Sequence, residues 1–355
     1  MLDNYSLLGR SGLRVSPLAL GTMTFGTSWG WGANADESRR QLDLYGDRGG
    51  NFVDGANEYT GGESEEFLGD VLKDRRDRFV LATKFGLSQN EGDPNAGGAH
   101  RKSLRRAVED SLRRLRTDHI DLFYLHIWDW RTPIEETVLA LNDLVRDGKV
   151  LYLGISDTPA WKVVEANMFA RQHGLSPFVA YQGRYSLIDR TMERDLLPMS
   201  VDHGLRPVTW QALASGVLTG KYLDKDVSKP TDGSREGMVG NMGLLDERST
   251  AIARKVKEIA DELGVPPGAV AISWVMQRTG APIPVVGARK ADQLAQSLKA
   301  TEVVLNEDAL ASLSEVSAFE IGFPLDFAAS PSAAGLIDKG AKVAGGPEAD
   351  LARWA

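Results

Sequence analysis

The sequence predicts an α/β fold, a single-domain (β/α)8 barrel of the TIM type. A short apolar, β-branched run, then a polar or glycine-rich stretch, then a longer amphipathic run recurs along the chain. The ends of the first seven apolar runs lie 26 to 42 residues apart, which is the length of one βα unit. Eight such units fill a barrel of about 250 residues before insertions, and the chain has 355 residues.

Eight apolar runs are the candidate barrel strands. Each is four to eight residues long and rich in Val, Ile, Leu, Phe or Tyr, which favours strands buried inside a parallel sheet. The predicted strands are residues 17–22, 51–54, 78–84, 120–126, 149–156, 177–182, 205–210 and 282–287.

The amphipathic runs between these strands carry start and stop signals for helices. Pro133, for example, stands at a first-turn position with Glu135 and Glu136 behind it, and Gly148 follows the end of that run. The predicted helices are residues 36–48, 64–74, 101–115, 133–147, 159–172, 192–202, 249–263 and 267–278. The helix at 249–263 and a glycine- and proline-containing loop at 215–247 occupy the longer gap before the last strand.

No domain boundary interrupts this pattern. We therefore expect one barrel domain over residues 1–327. The remaining residues, 328–355, are rich in Ala, Gly, Ser and Pro and predict a partly mobile C-terminal tail.

Composition and charge exclude several classes of protein. The net charge of −8 disfavours general nucleic-acid binding. No apolar stretch approaches the roughly 20 residues that span a bilayer, and the N-terminus has no targeting pattern. The chain contains no cysteine, so disulfides, thiolate metal sites and cysteine nucleophiles are excluded. We expect a cytoplasmic protein without a metal or membrane partner. The sequence leaves open whether the protein forms a homo-oligomer.

Four chemically different side chains stand at or just after the ends of three successive predicted strands. They are Asp54, Tyr59 five residues further on, Lys84 and His126. Any one of them alone is more often a helix cap, a packing residue or a solvated charge. All four together predict an active site, because catalytic residues of a (β/α)8 barrel lie where its strands end.

These four groups are suited to carbonyl reduction if a hydride donor lies opposite. A phenol with a pKa near 10 is a poor acid, but an adjacent ammonium stabilises the phenolate and a carboxylate holds the ammonium in place. Tyr59 can then give a proton to a substrate oxygen that His126 orients.

Seven segments of the chain resemble successive signatures of the aldo-keto reductases. They are NFVDGANEYTGGESEEFLG, LATKFG, DLFYLHIWD, YLGISD, YQGRYSLIDR, TWQALASGVLTGKY and VVGARKADQL, in the family's order from about residue 5 to residue 327. The resemblance implies an NADPH-dependent reductase of aldehydes and ketones, of a bacterial type related to the potassium-channel β-subunit branch. It also implies that Asp54, Tyr59, Lys84 and His126 form the catalytic tetrad.

The same resemblance implies which residues bind NADP. Ser156 and Asp157 match the pair that holds the nicotinamide carboxamide, Trp210 matches the stacking aromatic, and Arg289 with Gln293 matches the segment that grips the adenosine 2′-phosphate. The complete set is Thr22, Met23, Asp54, Ser156, Asp157, Gln182, Trp210, Gln211, Leu213, Gly216, Lys221, Arg235, Gly287, Ala288, Arg289, Gln293 and Ser297.

Three sites depart from the family's usual pattern. Asp157 stands where Asn is common, Gln211-Ala212 where Ser-Pro is common, and Gln296-Ser297 where Glu-Asn is common. A carboxylate only accepts hydrogen bonds, whereas an amide also donates. Asp157 therefore offers the nicotinamide carboxamide an acceptor but no donor.

Four tryptophans indicate an apolar or ring-containing substrate. Trp29 and Trp31 follow the first strand, and Trp128 and Trp130 follow the fourth. We expect the four indoles to surround one mouth, although packing on their own loops is an equal alternative for each.

Two other classes of function stay open at this point. A nicotinamide-binding regulatory subunit with slow turnover, as some relatives of the potassium-channel β type are, would keep the whole tetrad. A barrel hydrolase that uses carboxylates would share the architecture.

Overall fold

The alternating apolar and amphipathic runs form a closed barrel. The computed structural model describes residues 1–223, 239 and 243–341. Within this part of the chain, eight parallel strands close into a barrel, in which each strand pairs with the next and the last pairs with the first. The predicted (β/α)8 barrel is therefore confirmed.

A short antiparallel hairpin precedes the barrel, and the barrel strands coincide with the eight predicted runs. The hairpin consists of β1 (Ser6–Leu7) and β2 (Arg14–Val15). The barrel strands are β3 (Ala19–Gly21), β4 (Phe52–Asp54), β5 (Val80–Phe85), β6 (Ile120–Leu125), β7 (Val150–Ser156), β8 (Phe178–Arg184), β9 (Arg206–Trp210) and β10 (Ile283–Val286).

Helices surround the barrel. In the described residues they are α1 (Ala35–Asp47), α2 (Glu63–Leu72), α3 (Arg101–Leu115), α4 (Ile134–Arg146), α5 (Ala160–Gln172), α6 (Leu196–His203), α7 (Glu247–Leu263), α8 (Pro267–Met276), α9 (Ala291–Leu298), α10 (Glu307–Val316), α11 (Leu325–Ala328) and α12 (Pro331–Asp338). Short 3-10 turns lie at Tyr59–Gly62, Arg76–Arg78, Thr191–Glu193, Ala214–Thr219 and Lys299–Glu302.

The hairpin, which was not predicted, covers the end of the barrel where the strands begin. Leu8 and Val15 are fully buried among the inward-facing residues of the barrel. At the hairpin tip Gly9 has a φ of +58°, and a Cβ there would lie 2.1 Å from the carbonyl oxygen of Val179. The hairpin therefore leaves only the opposite end, where the strands finish, as a place for chemistry.

Helix boundaries differ from the predictions where a local cap or turn intervenes. The helix predicted from residue 192 begins at Leu196, because a 3-10 turn precedes it and Asp195, with a φ of −148°, is not helical. The helix predicted from residue 249 begins at Glu247, because Asp246 accepts the Ser249 backbone N–H at 2.6 Å.

Further helices follow β10, the last strand of the barrel, and one of them contacts the loop after β8. A buried Arg190 in the loop after β8 pairs with Glu193 at 2.8 Å and donates to the Ser314 carbonyl oxygen of α10 at 3.0 Å. In the segment predicted to be a partly mobile tail, residues 328–355, Pro331–Asp338 is a helix capped by Ser330, and residues 342–355 lie outside the described residues. Throughout the described ranges, no helix combines the length and the apolar character needed to cross a membrane.

Candidate active site

The barrel brings the four predicted groups together at the carboxyl ends of three neighbouring strands. Asp54 is the last residue of β4, Lys84 lies near the end of β5, and His126 directly follows β6. Tyr59 begins the 3-10 turn after β4. In register, Asp54 pairs with Ala82, two residues before Lys84, and Lys84 pairs with Tyr124, two residues before His126, so the side chains follow one another along the strand ends.

Lys84 is the centre of the cluster. Its Nζ donates to Asp54 Oδ2 at 2.7 Å, to the Gly55 carbonyl oxygen at 2.8 Å and to the Tyr59 hydroxyl at 3.1 Å. The Lys84 and Asp54 side chains are only 1% and 2% exposed. This ion pair is thus fixed in a position where its ammonium touches the phenol oxygen.

A buried amide completes the support of Asp54. Gln182 Nε2 donates to Asp54 Oδ1 at 2.8 Å, so each carboxylate oxygen has its own donor. Gln182 therefore contacts a member of the tetrad. The sequence had predicted Gln182 only as a cofactor-binding residue.

The pKa of Tyr59 lies above its ordinary value. Exclusion of water from the phenol raises this pKa, and the Lys84 charge lowers it without fully offsetting that effect. Burial alone would lower the pKa of Lys84, but the charges of Asp54 and Tyr59 outweigh it and raise the pKa. The expected influence of the ammonium on the phenol is present, but the net pKa of the phenol is raised.

His126 is a neutral imidazole at physiological pH. Burial, together with the charge of Lys84, lowers the pKa of His126 to about 3. Its ring lies edge-on to that of Tyr59, with centroids 6.1 Å apart. The buried Nδ1 has no hydrogen-bond partner among the described residues. Because the ring is neutral and lies beside the phenol, it can hydrogen-bond a substrate oxygen there without adding a charge.

The turn that carries Tyr59 is tied to the loop after β3. Thr60 Oγ1 donates to the Phe25 carbonyl oxygen at 2.8 Å, and Ser28 Oγ donates to the Thr60 carbonyl oxygen at 2.6 Å. The Glu63 carboxylate accepts the backbone N–H groups of Thr27 and Ser28 at 2.7 Å and 2.9 Å. The loop with Trp29 and Trp31 is thereby held against the catalytic turn.

Ser156, Asp157 and Trp210, predicted to bind the nicotinamide end, lie together at the ends of β7 and β9. Trp210 Nε1 donates to Asp157 Oδ1 at 3.1 Å. Asp157 has a φ of +40°, and burial raises the pKa of its carboxyl. Ser156 is buried at the last position of β7. One edge of the mouth therefore holds the hydroxyl, the carboxyl and the indole.

The loop after β9 forms a tight, cationic turn. Gln211, Ala214, Ser215 and Gly216 all have positive φ, and the N–H groups of Ala214 and Gly216 donate to carbonyl oxygens within the turn. A Cβ on Gly216 would lie 2.7 Å from Lys221 Nζ, so the ammonium rests against this turn. Leu213 lies in the same loop, and Arg235 lies outside the described residues.

The other predicted cofactor residues follow the ends of β3 and β10. Thr22 is buried and donates to the Asp54 carbonyl oxygen at 3.1 Å, whereas Met23 is 42% exposed. Arg289 and Gln293 are exposed, and the Gln293 amide oxygen accepts the Arg289 backbone N–H at 3.2 Å. Gly287 and Ala288 precede them, and Ser297 Oγ donates to the Gln293 carbonyl oxygen at 3.3 Å.

The four tryptophans do not form one group. Trp29 and Trp31 pair with ring centroids 5.7 Å apart in the loop that is held against the Tyr59 turn. Trp128 and Trp130 line a separate cavity of about 330 Å³ together with Trp161 and Lys162. No member of the tetrad lines that cavity.

Tyr124 and Glu63 contact the predicted site and its loop, and the sequence did not single them out. The Tyr124 ring centroid lies 5.9 Å from Lys84 Nζ, and burial raises the pKa of Tyr124 well above its usual value. The signal for Tyr124 was its position two residues before His126, which places it on the inner face of the same strand. Glu63 had no signal, because it acts on a loop 35 residues away.

Comparison with known proteins agrees with this geometry. The sequence pattern of the Aldo/keto reductase family matches residues 17–318. A norsolorinic acid reductase of Aspergillus flavus is 40% identical over 338 residues, covering 92% of this chain and 84% of the relative. An NADP(+) aryl-alcohol dehydrogenase of Phanerodontia chrysosporium is 37% identical over 350 residues, covering 92% and 91%. These relatives are fungal, and the bacterial, channel-related branch stays a prediction.

Proposed function

Because the chain belongs to the aldo/keto reductase family, we propose that this oxidoreductase reduces aldehydes or ketones to alcohols with NADPH as hydride donor and Tyr59 as proton donor. The observation that carries the proposal is the Lys84 ammonium, which bonds both to the Tyr59 hydroxyl at 3.1 Å and to Asp54 at 2.7 Å. A phenol that must release a proton needs such a cation, because the phenolate it leaves behind is otherwise unstable in a site that excludes water.

Each member of the tetrad then has a defined role. Tyr59 donates its hydroxyl proton to the carbonyl oxygen, and Lys84 stabilises the resulting phenolate. His126, neutral because burial lowers its pKa to about 3, hydrogen-bonds the same oxygen and orients it. Asp54 and Gln182 do not touch the substrate and instead keep the ammonium in position.

The residues at the mouth fit NADPH. The Lys221 ammonium beside the Gly216 turn supplies a cation suited to a pyrophosphate, and the exposed Arg289 suits a 2′-phosphate. Ser156 and Asp157 would hold the carboxamide, with Trp210 against the ring. When bound, NADPH supplies the hydride for the carbonyl carbon.

We further propose that the substrate carries an aromatic ring. The similarity to a norsolorinic acid reductase and to an aryl-alcohol dehydrogenase supports an aryl carbonyl compound. The Trp29 and Trp31 pair beside the Tyr59 turn supplies an apolar surface for such a ring.

The test is steady-state NADPH oxidation with a panel of aromatic and aliphatic aldehydes, ketones and quinones. We expect turnover with aryl aldehydes, and we expect Tyr59→Phe to lower the rate about 10² to 10⁴-fold while NADPH affinity stays nearly unchanged. Near-parent turnover by Tyr59→Phe would refute the role of the phenol. Tight NADPH binding with negligible turnover on every substrate would favour the regulatory subunit, and no nicotinamide binding would favour a hydrolase.

The cofactor proposal has its own test. We expect a lower dissociation constant for NADPH than for NADH, and we expect Arg289→Ala to erase most of that difference by removing the guanidinium that pairs with a phosphate. Equal affinity of the parent for both nucleotides would contradict it.

A further inference from the structure

A carboxylate from α1 lies at the N-terminus of α9. Glu37, in the first turn of α1, accepts the Ala291 backbone N–H through Oε1 at 2.5 Å. Its second oxygen pairs with Arg40, and the side chain is only 15% exposed. The two helices pack side by side, and Arg48 Nη1 reaches the Ala295 carbonyl oxygen at 3.5 Å. The position of Glu37 is thus fixed by contacts with both helices.

The N-terminus of α9 belongs to the segment that would bind the 2′-phosphate of NADPH. A helix N-terminus attracts anions because its first backbone N–H groups have no partner within the helix. In this protein two donors of the segment are already occupied, the Arg289 N–H by Gln293 and the Ala291 N–H by Glu37. The protein therefore places its own anion at the helix end where a 2′-phosphate would need donors.

We propose that Glu37 is a specificity-determining residue for the cofactor, because its carboxylate competes with the 2′-phosphate for α9 and repels it. This inference rests on the proposed use of NADPH. Glu37 lowers affinity for NADPH and leaves affinity for NADH unchanged, since NADH carries a hydroxyl in place of the phosphate. The discrimination supplied by Arg289 is thereby reduced.

The geometry provides a matched control. Asp36 precedes Glu37 in the same first turn, is exposed, and has no hydrogen-bond or ion-pair partner among the described residues. Asp36→Asn removes the same charge from the same helix end without touching α9. Glu37→Gln removes the charge, keeps the shape and retains an amide oxygen that can accept the Ala291 N–H.

The experiment measures binding to the full-length protein without turnover. Dissociation constants for NADPH, NADH and 2′,5′-ADP are obtained by quenching of tryptophan fluorescence, with calorimetry as a check. For Glu37→Gln we expect two- to fivefold tighter binding of NADPH and 2′,5′-ADP, about the effect of one charge at a helix terminus. NADH affinity should not change, and Asp36→Asn should resemble the parent. Glu37→Ala replaces Glu37→Gln if the latter does not fold.

The outcomes separate the two proposals. An unchanged ratio of NADPH to NADH affinity in Glu37→Gln, or equal tightening of both, would overturn the role of Glu37 while the proposed function stands. The same selective gain in Asp36→Asn would also overturn it, because net charge alone would then be the cause. A parent protein that binds neither nucleotide would overturn the proposed function itself.

Discussion

The indole of Trp210 donates a hydrogen bond to the carboxylate of Asp157, with Nε1 and Oδ1 3.1 Å apart. The two residues lie on either side of β8 at the barrel mouth, since Asp157 follows β7 and Trp210 ends β9. The Arg184 guanidinium lies 5.9 Å from the centroid of the Trp210 indole ring. The plane of the indole is therefore fixed before any ligand arrives.

We expect Asp157→Ala to release the indole and Asp157→Asn to keep it in place. An asparagine carbonyl oxygen can still accept the Trp210 N–H, whereas alanine cannot. Loss of this hydrogen bond should weaken NADPH binding about two- to tenfold and change the near-ultraviolet circular dichroism of tryptophan. If the asparagine variant loses as much affinity as the alanine variant, the charge of Asp157 matters more than the hydrogen bond.

A second prediction concerns the link between the tryptophan loop and the Tyr59 turn. Gly26 has a φ of +116°, and a Cβ there would lie 2.5 Å from Thr60 Oγ1 and 2.7 Å from Glu63 Oε2. Gly26→Ala should push the loop away and raise KM for aryl aldehydes several-fold, because the Trp29–Trp31 surface moves. The readouts are KM, kcat and the tryptophan emission maximum.

Gly30→Ala is the control for this change. Gly30 lies in the same loop with a φ of +77°, and nothing lies within 4 Å of a Cβ built there. Alanine is strained at both positive φ values, by about 1–2 kcal/mol near the left-handed region at Gly30 and by more at Gly26, whose φ lies outside that region. Only Gly26→Ala adds the clash, so similar KM values in the two variants would show that the link to Thr60 and Glu63 does not matter.

His126 should make the fold sensitive to acid. Burial, with the charge of Lys84, lowers the pKa of His126 to about 3 from an ordinary 6.5. Between these values the unfolded chain binds a proton that the folded chain does not. The free energy of unfolding is thus unaffected by this group above about pH 6.5, and it decreases as the pH falls from 6.5 toward 3.

The sign of this effect is testable by urea unfolding between pH 7 and 5. We expect the unfolding free energy of the parent to fall with pH more steeply than that of His126→Gln, by at most about 1.4 kcal/mol per pH unit, since one proton is involved. The other titrating groups cancel in the comparison. Parallel pH dependences in the two proteins would show that His126 does not differ in pKa between the folded and unfolded chains.

The sequence predicted the barrel because each strand is a continuous apolar run that no local signal contradicts. The eight runs and the spacing between them were visible without contacts. The hairpin was not, because each of its strands has only two residues, which is too short for any period. Glycines such as Gly9 identify such turns only once their neighbours are known.

The site was predictable in its residue types and not in its connections. Position at the end of a strand was enough to bring Asp54, Lys84 and His126 together, since all strands of the barrel are parallel. Contacts between distant segments left no trace in the sequence. Gln182 reaches Asp54 across 128 residues, and Glu37 reaches Ala291 across 254. Trp128 follows the predicted strand yet lies at a separate cavity, because the direction of a loop is decided by packing.

The last prediction tests how the charges around Tyr59 set its acidity. The charge of Lys84 lowers the pKa of Tyr59 and the charge of Asp54 raises it. Lys84→Met should therefore raise the pKa of the phenol, and Asp54→Asn should lower it. The two variants shift it in opposite directions although each removes one partner of the same ion pair.

Alcohol oxidation reports this pKa, because Tyr59 must be ionised to accept the proton of the alcohol. The rate of alcohol oxidation should therefore rise with pH in the alkaline range as Tyr59 ionises. We expect this rise to move to higher pH in Lys84→Met and to lower pH in Asp54→Asn. Lys84→Met should also lose more activity, since it deletes the charge that stabilises phenolate, whereas Asp54→Asn only loosens its position.

Each single variant leaves a buried charge without its partner, and this can unfold the protein. The double variant Lys84→Met/Asp54→Asn removes both charges and separates that effect from the shift in pKa. Rates would be measured from neutral to alkaline pH on folded samples of all three variants. A Lys84→Met enzyme with the parent's profile and nearly the parent's rate would mean that another group donates the proton.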